Sequence, residues 1–186
     1  LNSSTRTGIV GPMTNNISGR QKVPVVDYRE LSGLDEYARS FRERNRYRRI
    51  PSRRIVGFCM LFRRSLAETI GLLDERFGSG NYEDDDFCLR AALLGHRNLI
   101  AGDVFIHHYG SRSFIGNRID YDDAIAKNEN LYRRKWSKAD PASALGKKFL
   151  ALDAAEQARE QAMAGDLTGA VQSVLDGIRV APDEPL

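Results

Sequence analysis

Four carboxylates stand side by side at Glu83, Asp84, Asp85 and Asp86. Adjacent like charges repel, so such a run needs compensation. A helix N-terminus supplies part of it, through its dipole and its unpaired N–H groups. An acidic first turn accounts well for one or two carboxylates and poorly for four. A run of four invites a bound cation or a reacting proton. Just upstream, Gly78 and Gly80 would let the backbone approach a substrate closely. The second candidate is His107-His108, which ends an apolar stretch just before Tyr109-Gly110-Ser111. Histidine is both a metal ligand and a proton carrier. An isolated pair is more often structural. Ligands of open α/β sheets, however, gather at the C-terminal ends of strands. A site shared by the carboxylates and the histidines is therefore expected.

The elements that must position these residues follow from pattern and punctuation. Thr7 to Gly11 reads as a short buried strand ended by Pro12, followed by a polar loop with Thr14, Asn15, Asn16, Ser18 and Gly19. Such loops at strand ends carry binding groups. Leu34 to Arg49 reads as a helix, with Leu34, Tyr37, Ala38, Phe41 and Asn45 at helical spacing and Asp35 and Glu36 in its first turn. Its second half is basic, and three readings stay open: a solvated face, contact with an anionic acceptor or membrane surface, or nucleic-acid binding. Ile55 to Phe62 is a nearly continuous apolar run, expected to be a strand buried on both faces. Ser65 and Glu68 have the spacing of a capping box opening a short helix that ends near Gly71. A second helix is expected from about Glu83 to Gly95, then a strand within Asn98 to His107, a loop from Tyr109 to Gly116 and a helix from Asp122 to Trp136. Pro141 to Gly146 reads as a linker, and the remainder as two helices parted by Gly165-Asp166. The expected class is α/β followed by an α-helical tail.

Composition narrows the function classes. The chain has 186 residues, 41% of them hydrophobic and 28% charged, with a formal net charge of +3. That balance suits a globular domain with a small appendage and does not mark a nucleic-acid binder. No apolar stretch is long enough to span a bilayer, and no signal peptide is visible. Cys59 and Cys88 lie far apart, each in an apolar run, so they make neither a disulfide framework nor a zinc spacing. Buried, reduced thiols of an intracellular protein are expected.

The segment from Phe77 to Arg90, the helix to Gly95, and His107 to Phe114 together resemble the C-terminal, acceptor-side half of family 2 glycosyltransferases. Gly8 to Pro12 and Gly57 to Arg63 share the resemblance, which covers roughly residues 7 to 136. It implies a partial GT-A sheet with flanking helices over residues 1–140. It also implies inverting transfer of a sugar from a nucleotide-diphosphate donor, with Mn²⁺ or Mg²⁺ as cofactor, to an acceptor hydroxyl. By this resemblance Asp84 is the base that deprotonates the acceptor, and Glu83 orients it. Gly80, Asn81, Asp86 and Arg90 would bind substrate, although Asp86 and Arg90, at i and i+4, can simply pair with each other. His107 or His108 would approach the metal or diphosphate, and the spacing of His108 to Gly110 and Phe114 favours His108. The acceptor would be a glycan, lipid-linked or protein hydroxyl, the setting the cytoplasm or the inner face of a membrane, and the context surface glycan or polysaccharide synthesis. The family's nucleotide-binding half, with its Asp-x-Asp, has no counterpart before residue 7. The chain is therefore expected to be a fragment, inactive alone.

Gly165-Asp166, Ala170, Val174, Gly177 and Pro182 have the spacing of the second half of a tetratricopeptide repeat, and Ala154 and Ala158 suit its first helix. Residues 147–186 thus resemble one helical repeat, a scaffold for a protein partner. The alternative to an enzyme is a catalytically inactive transferase-like module that supports such a scaffold.

Overall fold

The computed structural model describes residues 1, 4–78, 80–110, 116, 120–137 and 144–182. It forms two compact units, Leu1–Asn130 and Leu131–Leu186. The first is α/β and the second helical. Ser79, residues 111–115 of the expected loop, and 141–143 of the expected linker lie outside the described residues.

The first unit is built on a four-stranded mixed sheet of order β2-β4-β1-β3. Strand β1 (Thr7–Met13) runs parallel to β4 (Arg97–Phe105), with Gly11 opposite Ile100. The short strands β2 (Arg49–Pro51) and β3 (Leu61–Phe62) flank them antiparallel. Pro12 does not end β1, as expected, but lies within it opposite Ala101, at a place where the register shifts. A strand tolerates proline at such irregularities because the missing N–H need not join the ladder.

Helix α1 (Leu34–Arg44) buries Tyr37 and Phe41, and both rings pack on Phe105 of β4 at 4.8 and 5.6 Å between centroids. It stops five residues before the expected Arg49 because tertiary partners claim the following backbone. Tyr47 adopts a left-handed φ of 59°, and its N–H donates to Asp103. Arg49 then pairs with Ala101 as the first residue of β2. Helix α2 (Arg64–Ile70) begins one residue before Ser65, so no capping box forms. Glu68 instead pairs with Arg64 at 2.9 Å. Helix α3 (Glu83–Leu93) ends as its sequence suggests, with Gly95 at φ 82°. Its residues Phe87, Cys88 and Ala91 enter the core with Ile9, Ile55 and Ile100.

The run from Ile55 to Phe62 departs most from expectation. Only Leu61–Phe62 pairs as a strand. The earlier residues give their N–H groups to side chains: Ile55 to the Cys88 sulfur, Val56 to Gln21 Oε1 at 2.8 Å, and Gly57 to Asp84 Oδ2 at 2.7 Å. Backbone donors satisfied in this way need no ladder. Ile55 is wholly buried, and a Cβ at Gly11 would stand 2.4 Å from its Cγ2, so glycine lets this segment cross β1 closely. Cys88 is buried as expected, and burial pushes its thiol pKa up, whereas Cys59 is only half-buried.

Helix α4 (Tyr121–Ser137) passes from the first unit into the second. The second unit is a hairpin of α5 (Ala144–Met163) and α6 (Leu167–Val180). The linker expected to reach Gly146 is shorter, since Ala144–Gly146 already belong to α5. The turn has Gly165 at φ 86°, and Asp166 caps α6 by accepting from the Gly169 N–H. Small residues are buried on both helices, Ala151, Ala155 and Ala158 on α5 and Ala170 and Gly177 on α6, with Ala154 half-buried. Leu167, Val171, Leu175 and Ile178 form an exposed stripe along α6. Among the described residues no helix is long and apolar enough to cross a membrane.

Gln21 tests the account of the Ile55 run. Its amide is buried, donates to the Pro12 carbonyl at 2.9 Å and accepts from Val56. Gln21→Ala removes the partner of the buried Pro12 carbonyl and of the half-buried Val56 N–H, and is expected to destabilise the fold by about 1–3 kcal/mol. Urea denaturation of the two proteins measures it, and a loss below ~0.5 kcal/mol would show that the run is held by other means.

Candidate active site

The C-terminal ends of the parallel strands β1 and β4 open into two loops, Thr14 to Gly19 and Ile106 to Gly110. These loops, the turn at Val56 to Phe58 and the start of α3 line a cleft of about 690 Å³. This is the size and the sheet-end position expected of a ligand site. Gly80, Asn81, Glu83, Asp84, His107 and His108 all line it. The two motifs, distant in sequence, therefore share one cavity.

Asp86 and Arg90 do not. Asp86 is fully buried and pairs with Arg90 at 2.9 Å. The Arg90 guanidinium also donates to the carbonyls of Ile70, Gly71 and Leu72. This pair ties α3 to the end of α2, the local i,i+4 pairing that the sequence allows. Asp85 turns to Arg54, whose Nε lies 3.3 Å from its carboxylate. The four carboxylates thus separate into two that face the cleft and two that hold the surrounding structure.

Asp84 is buried and doubly held. One oxygen accepts from Gly57 N at 2.7 Å and the other from Asp85 N at 2.9 Å. Each carboxylate oxygen keeps a further lone pair. Glu83 is half-buried, and its Oε2 has no hydrogen-bond partner among the described residues. Burial, and next the charge of Asp84, raises the Glu83 carboxyl pKa above its ordinary value. Asn81 Nδ2 is likewise buried without a partner. An orphan acceptor and an orphan donor on one wall suit a ligand bearing hydroxyl groups, which can meet both.

The turn that carries them is strained and clamped. Asn81 and Tyr82 both have left-handed φ, 73° and 70°, just before α3 begins. Such geometry persists when its surroundings impose it. Asn128 of α4 imposes it here: its buried amide nitrogen reaches the carbonyls of Phe77, Gly80 and Asn81 at 2.6, 2.7 and 3.1 Å. Sequence reasoning missed Asn128, since an asparagine in a polar helix gives no sign of its distant partners.

The histidines are held differently. His108 lies against Phe58, with ring centroids 4.9 Å apart and planes at 29°. Its backbone N–H donates to Asn15 Oδ1 at 2.8 Å, and its Nδ1 lies 2.7 Å from the Asn16 carbonyl. A carbonyl only accepts, so Nδ1 is the donor in this contact, and Nε2 is the ring nitrogen left for another partner. His107 Nδ1 lies 2.5 Å from the Tyr28 hydroxyl, and its ring meets Tyr28 and Tyr109 edge-on. Burial raises the Tyr28 phenol pKa. Backbone anchoring through the neighbouring carbonyl is the usual way a metal-binding histidine is oriented, and it distinguishes His108. Among the described residues no group of three or more His, Cys, Asp or Glu is gathered so as to hold an ion. His108 offers one ligand. The asparagines of the first loop, foreseen only as binding-loop residues, turn out to position it.

Asp85 gives a pH test. Burial, partly offset by Arg54 and reinforced by Asp84, pushes its pKa up to about 6. A carboxyl so raised binds its proton more tightly in the folded chain than in the unfolded one. Stability therefore falls as pH rises from ~4 to ~6 and levels off on either side. Asp85→Asn is expected to remove most of that limb, up to ~3 kcal/mol, as read from denaturation midpoints across this range. An unchanged slope would assign it to Glu83 alone. Comparison with protein-family models gave no match, and neither did comparison with curated proteins or with solved structures.

Proposed function

We propose that the first unit is the acceptor-side part of an inverting glycosyltransferase of the family 2 kind with a GT-A fold. The observation that carries the reading is the single cleft in which Asn81, Glu83 and Asp84 meet His107 and His108. Support also comes from the unpaired polar atoms of Asn81 and Glu83 on its wall. The substrates are a nucleotide-diphosphate sugar and a glycan, lipid-linked or protein hydroxyl, and surface glycan synthesis at the cytoplasmic side of a membrane is the expected setting.

In this mechanism Asn81 and Glu83 orient the acceptor by its hydroxyl groups. Asp84, fixed by the Gly57 and Asp85 amides, takes the proton of the attacking hydroxyl through a remaining lone pair. The acceptor oxygen then forms a bond to the anomeric carbon as the bond from that carbon to the diphosphate oxygen breaks. The electron pair leaves with the nucleoside diphosphate, and the configuration inverts. His108, with Nδ1 engaged by the Asn16 carbonyl, would have Nε2 left to contact the diphosphate. Bound Mn²⁺ or Mg²⁺, with His108 as one ligand, would neutralise charge on the leaving diphosphate.

A second reading is a catalytically inactive module that supports a helical-repeat scaffold. The exposed apolar stripe of α6 favours it, because a repeat hairpin leaves such a face for a neighbour or a protein partner.

Nucleoside diphosphate release by the full-length protein, with a panel of nucleotide sugars and Mn²⁺, decides between them. Release from one donor, lowered roughly 10²–10⁴-fold by Asp84→Asn, is expected of the enzyme. Because the substitution also touches the Gly57 contact, its melting temperature is measured alongside. No release from any donor by a folded protein would leave the scaffold reading.

A further inference from the structure

The basic second half of α1 and the corner that follows it form a surface separate from the cleft. Arg39 and Arg42 of α1 face Arg49 of β2 across a hollow of about 660 Å³, floored by Val104 and Phe105. Arg49 already neutralises Asp103 at 2.5 Å. The Arg42 guanidinium has no ion-pair or hydrogen-bond partner among the described residues, and that of Arg39 reaches only the Asp35 carbonyl of its own helix. Glu43 is offset by Arg46 at 3.7 Å. Of the remaining acids of α1, Asp35 lines the same hollow and Glu36 follows it in the first turn, so three arginines of the hollow face two carboxylates, Asp35 and Asp103. Beyond the helix, the left-handed corner at Tyr47 puts its ring into solvent, 76% exposed, with the Arg46 guanidinium 5.3 Å from the ring centroid.

This surface continues toward the cleft. Val104 and Ile106 are alternate residues of an extended segment and therefore project to one side. Both are exposed, the first in the arginine hollow and the second on the cleft wall. Guanidinium groups, a protruding tyrosine at the corner after α1 and exposed aliphatic side chains match the chemistry of a bilayer interface. There arginine meets anionic headgroups, tyrosine sits at their level, and small apolar side chains reach the acyl boundary.

We propose that this face docks on a bilayer of anionic phospholipid. Docking itself does not depend on the transferase reading. Its consequence does: a protein held by this face presents the mouth of the cleft to acceptor hydroxyls carried in the same membrane.

Co-sedimentation with vesicles tests the docking on the chain itself. Phosphatidylglycerol–phosphatidylcholine vesicles are compared with phosphatidylcholine alone, at low and moderate salt. Binding to the anionic vesicles, weakened by salt, is expected. The charge-reversed variant R39E/R42E/R46E, altered only at exposed positions, is expected to bind at least ~10-fold more weakly while keeping its circular dichroism. Tyr47→Asn, which suits the left-handed backbone and leaves the charge unchanged, is expected to weaken binding several-fold. Absence of binding at low salt, or equal binding by the charge-reversed protein, would overturn the proposal. So would preferential capture by double-stranded DNA at matched salt, since that assigns the surface to nucleic acid. None of these outcomes depends on sugar transfer, so failure here leaves the transferase reading to its own test.

Discussion

The Asp84 carboxylate bridges the Gly57 amide and the N–H of its own neighbour, Asp85. Through that bridge the first turn of α3 is joined to the Ile55–Phe58 segment, and much else follows from the join. Gly57 is pulled out of any strand ladder. Phe58, just beyond it, lies flat against His108. Ile55, just before it, fills the space over Gly11 and lets Cys88 approach its backbone. A buried carboxylate is tolerated here because two backbone N–H groups donate to it, one from Gly57 and one from the first turn of α3.

Around this bridge the remaining acids divide the labour by partner. Asp86 belongs to Arg90, and Asp85 to Arg54. Both pairs neutralise charge that would otherwise add to the repulsion around Asp84. Glu83, with no such partner for its Oε2, bears the penalty of partial burial, and its carboxyl pKa is raised accordingly. The arrangement leaves two differently held carboxylates on one wall of the cleft: Asp84, anchored by two backbone amides, and Glu83, half-buried with one oxygen unpartnered among the described residues.

Side chains distant in sequence hold the groups that line the cleft. Asn128 clamps the left-handed turn before α3, Asn15 and Asn16 hold His108, and Tyr28 holds His107. Each fixes where a group lining the cleft stands. The same economy appears in the helical hairpin, where small residues at Ala155, Ala158, Ala170 and Gly177 allow close packing and Asp166 sets the start of α6.

What the sequence determined by itself was local. The acidic run and the histidine pair stand out by residue type alone. The helical spacing of Tyr37 and Phe41, the stop at Gly95 and the turn at Gly165-Asp166 follow from periodicity and from backbone freedom within a few residues. The pairing of Asp86 with Arg90 is also local, since i and i+4 meet on any helix. Tertiary structure alone decided where the apolar run at Ile55 would find its hydrogen bonds, where α1 would end, and which carboxylates would face the cleft. The physical reason is the same in each case. A backbone donor takes whichever acceptor the fold brings within reach, and Asp84, Gln21 and Asp103 reach their partners across 27, 35 and 56 residues of chain. Spacing along a sequence carries no record of such distances.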